Sequence, residues 1–310
     1  MLGYTILVKT RETGLNWTNQ AGLKGDRKMK KNSFAKASLT FLLCLLIAAV
    51  GCRIGPGSWR QSKYERIEQL SAPMADIEAM DVDTGFGSIK VIGGDVTDCK
   101  IEAKICARAP NAEEAKQLAE KVKIKIEPVG KTLNIIVDKP KVRNNRCISV
   151  SFDIIVPKKT NIECSTSYGS IKLRDIQGNV NVRTSFASIE CENIEGSVDV
   201  ETSYGQIKCR NITSTDINAR SSFGSVEIAC SPETSPEIDA DIATSYGNIE
   251  FATPPGFSGR VDLETSFGSI RTDLPITVKG RISKDRIKGS VGQGNGKLRL
   301  KTSFGSIKIK

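Results

Sequence analysis

The chain has 310 residues, 45 basic against 35 acidic, with 5% aromatic residues and 27 glycines. That is length enough for a sizeable core, but so little ring volume and so much glycine suit a narrow β structure better than a globular α/β enzyme. Histidine is absent, which excludes Ser-His and Cys-His nucleophile pairs and every His-ligated metal site.

In chain order, residues 1–28 read as neither signal nor domain, and translation is expected to begin at Met29, directly before Lys30 and Lys31. An apolar run over 39–50 follows, too short to span a bilayer well, and with the lysines ahead of it residues 29–51 form an export signal. The run ends Ala49-Val50-Gly51-Cys52, which resembles the lipobox of bacterial lipoproteins, with Ala49 where Leu is more usual. The resemblance implies that the Cys52 thiol receives a diacylglycerol and becomes the mature N-terminus. Residues 1–51 hold eight Lys or Arg and two acids, so their removal lowers the net charge from +10 to +4. Nucleic acid is therefore not an expected partner. Seven cysteines remain beyond Cys52 (99, 106, 147, 164, 191, 209 and 230), an odd number that leaves at least one thiol without a partner in the chain. No CxxC is present, so no zinc site is expected, nor any other metal or cofactor.

Residues 52–74 are expected to form a polar tether, and 75–157 a first β coil carrying a cap. Within the cap 99–106 alternates as a strand. Asn111 starts a helix running to about Lys121, with Glu114 as its capping partner, and strands follow near 122–129, 132–138 and 148–156. An open solenoid end exposes unpaired backbone, and this block is placed to cover it.

The rest is repetition. A Thr-Ser-aromatic-Gly-Ser-Ile phrase starts at Thr84, Thr166, Thr184, Thr202, Ser221, Thr244, Thr265 and Thr302, and from Thr166 the spacings are 18, 18, 19, 23, 21 and 37 residues. A period near 20 marks a solenoid whose units must stack to bury their apolar sides. Two and four residues before each Thr stand apolar residues such as Val180 and Val182. Five and seven after it stand others such as Ile189 and Cys191, so the parity shifts at the Gly and the chain bends there. Ala187 replaces the Gly once. A third apolar position holds Ile176, Ile194 and Ile212, with Gly178 and Gly196 as corner residues. Charges at fixed offsets mostly alternate from repeat to repeat (Lys172, Glu190, Lys208, Glu227, Glu250, Arg271; Ser165, Arg183, Glu201, Arg220, Ala243, Glu264), as parallel in-register strands about 4.8 Å apart would favour. The fold class is thus all-β, a parallel β-solenoid of about 18–23-residue coils over 158–310 with an N-terminal α+β elaboration. Lys297, Arg299, Lys301, Lys308 and Lys310 are expected to close its far end as a charge-rich edge.

Several columns are candidate sites. Cys191 and Cys209 share a core column with Leu173 and Ile228 and read as small hydrophobes. The Thr column is inward, its hydroxyls satisfied along the ladder. The acidic column three residues before the Thr (Glu163, Asn181, Asp199, Asn218, Asp241, Asp262) is the best carboxylate cluster for polysaccharide acid–base chemistry, although a solvated stripe explains it as well. The motif aromatics have two readings. Strand parity puts the rings in the core, and this is the favoured one. Alternatively Tyr168, Tyr204 and Tyr246, about 9.6 Å apart, form an exposed ladder on which a glycan stacks.

The lipobox-like leader, the helix-bearing β insert and the strand ending Val156-Pro157 ahead of the repeats resemble the bacterial putative-adhesin family of envelope β-repeat proteins. The segment Gly289–Gly296 followed by Lys297–Thr302 is similar to that family's last coil. The resemblance spans roughly 75–310 and implies an envelope β-repeat fold, but no catalytic residue, since the family is a domain of unknown function. Ala187, and rings where many relatives have small residues, are departures. The expected function is a non-enzymatic, membrane-anchored cell-envelope lipoprotein presenting a rigid β-solenoid for binding or adhesion. It would be exported and lipid-anchored at the outer membrane, the periplasmic face or the outer face of the cytoplasmic membrane. Its partners would be the membrane, through the lipid on Cys52, and an envelope protein or glycan. The alternative is a polysaccharide-binding or polysaccharide-active β-helix protein, for which Tyr168, Tyr204, Tyr246, Asp199, Asp241 and Asp262 are the ligand-facing candidates.

Overall fold

The alternation on either side of each bend gives every repeat two strands, and these build two long sheets. The computed structural model describes residues 61–278 and 283–310, with the backbone of Leu7–Val8; the start at Met29, the signal and Cys52 lie outside the described residues. The fold is all-β apart from one helix, in two 12-stranded, largely parallel sheets. One sheet takes the strand before each bend (Asn161–Tyr168, Val180–Thr184, Val198–Thr202, Asp216–Ser221, Asp239–Tyr246). The other takes the strand after it (Ile171–Ile176, Ile189–Glu195, Ile207–Thr213, Val226–Cys230, Ile249–Ala252). Neighbours pair at equal motif offsets: Ile171 with Ile189, Ile189 with Ile207, Ile207 with Val226, and Val182 with Val200.

The core lies between the inner faces, where Ile189 and Ile207 are fully buried; a side chain of this size contributes about 1.5–3 kcal/mol on burial. On the outer faces the alternating charges meet as ion pairs, Lys172–Glu190 at 2.8 Å and Lys208–Glu227 at 3.4 Å, while Arg183 lies 3.9 Å from Glu201. Exposed pairs of this kind add only about 0–1 kcal/mol each. They matter more for register, because a slip of one residue would turn every core side chain outward.

A second ladder, not read from the sequence, holds the corner opposite the bend. Asp175, Asn193 and Asn211 are left-handed, with φ of 59°, 55° and 54°. The Asn193 amide donates to Asp175 Oδ1 at 2.6 Å and the Asn211 amide to Asn193 Oδ1 at 2.8 Å. All three share one motif offset, and Asn and Asp are the side chains that best tolerate this backbone region. That column was the available signal.

Before the repeats, Ala79–Phe86 and Ile89–Gly94 form the first coil. The cap then extends both sheets past it. Thr132–Asp138 lies parallel to Ala79–Phe86, and Cys147–Pro157 pairs with both Ile89–Gly94 and Asp98–Ala109. The helix Ala112–Glu120 buries Ala115 and Ala119, and Asn111 Oδ1 accepts the Glu114 N–H at 2.8 Å. Glu114 does not act as the expected reciprocal partner: its carboxylate pairs with Arg146.

Two further expectations are corrected. The tether does not reach residue 74, because Ser62–Pro73 is a 12-residue strand paired along its whole length with Asp98–Ala109. Its charges, which read as a solvated linker, are matched by Lys63–Glu65 at 2.6 Å, Lys104–Glu65 at 3.2 Å and Arg66–Glu68 at 2.7 Å. The last coil is also not the last layer. Gly296–Phe304 inserts between Asp239–Tyr246 and Gly259–Phe267, and Ile307–Ile309 between Ile249–Ala252 and Ile270–Thr272. The expected basic edge is therefore interior, a basic strand between two acidic ones, with Lys297–Asp239 at 2.7 Å, Arg299–Asp241 at 3.7 Å and Lys301–Glu264 at 3.6 Å. Stacking in chain order would instead set Asp241 against Asp262, like charges about one strand spacing apart. The end is closed by Arg286–Val291, antiparallel to Gly259–Phe267.

Candidate binding ridge

The bend is the most regular feature of the surface, and it is built by the motif threonine. Each Thr is inward and buried, as its parity requires. Its hydroxyl donates to the bend carbonyl of the coil beneath: Thr184 to Gly169 at 3.2 Å, Thr202 to Ala187 at 3.0 Å, Thr244 to Gly224 at 2.9 Å and Thr302 to Gly247 at 2.9 Å. Backbones approach closely here. A Cβ on Gly205 would sit 1.9 Å from the Ala187 carbonyl oxygen, and one on Gly224 1.8 Å from that of Gly205.

This geometry corrects the favoured reading of the aromatic column: the rings point out. The strand ends before the ring at Phe186, Tyr204 and Phe223 and runs on through it in the other copies. In every copy, however, neither of the two residues after the buried Thr or Ser221 is buried, so alternation breaks there and strand parity no longer governs the aromatic. Hydroxyls and closely stacked backbone also leave no interior space for a ring. Ring-bearing residues bond sideways instead, Phe186 N–H to the Ser167 carbonyl at 3.0 Å and Tyr204 N–H to that of Ser185 at 2.8 Å. In spatial order the column runs Phe86, Tyr168, Phe186, Tyr204, Phe223, Tyr246, Phe304 and Phe267, with centroids 4.7–5.1 Å apart and planes within 6° of parallel. The first seven residues are 42–52% exposed and Phe267, at the end, 68%. Every ring face but the outermost two is covered by a neighbouring ring, so the surface offered is a row of ring edges. No motif residue from the Thr to the apolar position five beyond is charged in any of the eight copies. The ridge is therefore an uncharged strip flanked by serine rows. At its N-terminal end Lys139 Nζ covers Phe86, 5.7 Å from the ring centroid.

The acidic candidates do not converge. Asp199 lies 3.7 Å from Arg183, Asp241 3.5 Å from Arg220, and Asp262 3.0 Å from Lys288. Arg299 stands in register between Asp241 and Asp262, separating the two carboxylates that chain order makes neighbours. They line a shallow depression of about 770 Å³ shared with Arg260, Lys297 and Arg299. At the other end Asp81 is in register with Glu163, and burial, then Glu163 and Asp83, raises its carboxyl above the usual range. Among the described residues no group of three or more His, Cys, Asp or Glu is arranged to hold a metal. Cys191 and Cys209 are in register and buried as free thiols, and their mutual hydrogen bond, then burial, pushes Cys209 well above its ordinary value.

Solved structures similar to the chain include a putative cell adhesion protein from Clostridium sporogenes, at 14% identity over 81% of this chain and 99% of that one, with a TM-score of 0.37. A putative adhesin from Bacteroides fragilis is 15% identical over 82% and 98%, at 0.34. A putative lipid binding protein from Parabacteroides distasonis is 15% identical over 82% and 98%, at 0.30. None of the curated proteins matches. The Toastrack DUF4097 family, a domain of unknown function, matches residues 141–310, from the last strand of the cap through the final motif. That is more than half of the sequence, and the chain belongs to the Toastrack DUF4097 family.

Proposed function

We propose that this is a non-enzymatic interaction protein of the bacterial cell envelope, a solenoid held to a membrane by a lipid on Cys52 and binding through its aromatic ridge. The ridge carries the reading. Eight half-exposed rings in one uncharged row form an apolar surface larger than an isolated soluble protein ordinarily leaves open. The anchor rests on the basic, apolar, Gly51-Cys52 leader. The non-enzymatic part rests on the missing histidine and on the ion pairing of Asp199, Asp241 and Asp262. Among the described residues no helix is long and apolar enough to cross a membrane.

The polysaccharide-binding alternative draws on the same ridge, because tyrosine hydroxyls recur every second layer between serine rows. A glycan would meet ring edges and hydroxyls there, since the ring faces are occupied. Both parts of the proposal are open to experiment. Palmitate label should be lost in Cys52→Ser. Cross-linked full-length chain from whole envelopes should capture a partner that a Tyr204→Thr/Phe223→Thr variant, equally folded by circular dichroism, does not. Label retained in Cys52→Ser ends the anchor, and capture identical in both chains ends the ridge as the binding surface.

A further inference from the structure

We propose that the occupant of the ridge is a second copy of this chain, joined as an antiparallel two-fold dimer along the aromatic column. The inference rests on reading the ridge as a contact surface and names its partner.

The area is right for a dimer. An aromatic side chain carries about 150–250 Å², so eight rings at about half exposure offer roughly 600–1,000 Å². One side of a standard stable interface is about 800 Å², whereas the largest apolar patch on an ordinary monomer is about 300–600 Å². The surface is also suited to itself. A two-fold interface sets the same patch against itself, and two identical ladders share one spacing, so they can match along their whole length.

The order of the rings selects the antiparallel alignment. With the first layer against the last, Phe86 meets Phe267, Tyr168 meets Phe304, Phe186 meets Tyr246, and Tyr204 meets Phe223. Every tyrosine then faces a phenylalanine, and the longer ring is opposed by the shorter, which keeps the seam at nearly constant width. Parallel alignment, or a slip of one layer, sets tyrosine on tyrosine and phenylalanine on phenylalanine, leaving alternate clashes and gaps in a seam that requires close packing. Serine rows on both sides can supply partners for the tyrosine hydroxyls, which would otherwise be costly to bury.

The cap agrees with this direction. Thr84 donates to the Val150 carbonyl at 3.3 Å, which places Val150 at the level of the bend. The strand carrying Cys147, with its neighbours Cys106–Ala109 and Ser62–Glu65, continues past that level on the ridge side. In an antiparallel dimer these projections lie beyond the partner's Phe267 end. In a parallel one they would meet each other.

A membrane is the weaker occupant, since the strip carries no charge and its flanking columns mix both signs, giving anionic headgroups no continuous basic row to bind.

The test uses two differently tagged full-length chains co-expressed in one cell and solubilised in mild detergent. Capture of one tag should retrieve the other, and Ser203→Arg, which charges the strip beside the central rings without removing one, should lower that recovery at least about tenfold. A photo-cross-linking benzoylphenylalanine at position 204 should link to the partner's peptide containing Phe223, and one at position 86 to the peptide containing Phe267. No co-capture, or cross-links only to other proteins, overturns the dimer. Cross-links to another protein that Ser203→Arg abolishes would do so while leaving the ridge as an interaction surface. Links from 204 to 204 would overturn the stated register in favour of a parallel or slipped pairing.

Discussion

The middle layers and the closing layers solve the same packing problem by different routes. Between Val180 and Thr213 the neighbour in space is the next repeat in the chain, and each contact needs only one short loop closure. At the C-terminal end Gly296–Phe304 must return past Gly259–Phe267 and enter beside Asp239–Tyr246, leaving an earlier segment as the outer layer. Long-range insertion of this kind is slower to form. What it achieves is charge order: acidic, basic, acidic strands in sequence, with the outermost layer covered by a short antiparallel strand that blunts the edge. The middle is set by local repetition, and the end by electrostatic complementarity between distant segments.

The difference can be broken first where the two routes should agree. Ile207 in the middle and Ile307 in the inserted layer occupy one buried column. Changing either to Asp buries an unpaired charge and should cost several kcal/mol, read as loss of the cooperative β transition in thermal circular dichroism. A folded Ile307→Asp beside an unfolded Ile207→Asp would mean that the inserted layer is not integral to the core.

Next in size is the bend. Gly224→Ala brings a Cβ against the Gly205 carbonyl oxygen and should cost about 1–3 kcal/mol, measured by denaturant titration. Ala187→Gly, in the coil that already carries a methyl, should change stability by less than Gly224→Ala does. Equal effects would show that backbone crowding does not select glycine.

A smaller effect separates the two regions directly. Arg299→Glu places a carboxylate between Asp241 and Asp262, in register with both, and should cost about 1 kcal/mol or somewhat more at low salt. The loss should shrink toward zero in 1 M salt. Arg271→Glu, on the outermost strand beside Lys308, should be neutral or mildly stabilising. If Arg299→Glu were as harmless, charge order would not be what holds the last layer inside.

Much of this was legible in the repeats, because a column of identical offsets reports strand register directly. Ile189, Ile207 and the Thr hydroxyls are where periodicity placed them. The ring column is not, because parity does not extend past the Thr: neither of the two residues after it is buried, and hydrogen bonds between layers, invisible to a single-repeat pattern, decide that. The inserted layer was missed for a related reason. Chain order does not give spatial order here, although the Asp241–Asp262 conflict and the basic run from Lys297 to Lys301 together hold the answer. Ser62–Pro73 reads as a tether because a strand with charges on both faces has no clean alternation; its pairing along its whole length is supplied by Asp98–Ala109, far along the chain.

The least expected change concerns the N-terminal end of the ridge. Lys139 Nζ is buried over Phe86 without a hydrogen-bond partner among the described residues. Burial lowers its pKa, and Cys147 and Asp83, which act to raise it, do not compensate. A depressed lysine binds fewer protons in the folded than in the unfolded chain over the interval between the two pKa values, so stability rises with pH across that interval and the cost of the buried ammonium is carried below it. Lys139→Met removes the charge and keeps an apolar chain against the ring. The variant should therefore be more stable than wild type near neutrality, less any cation–π attraction, which is at most about 1–2 kcal/mol. That advantage should narrow as the pH is raised toward 10.5. The difference between the two chains cancels the other lysines and tyrosines that titrate in the same range. A gap that stays constant from pH 7 to 10.5, or widens, would mean that the Lys139 ammonium is already well solvated. In that case the ridge would end at Phe86 without a buried cation over its last face.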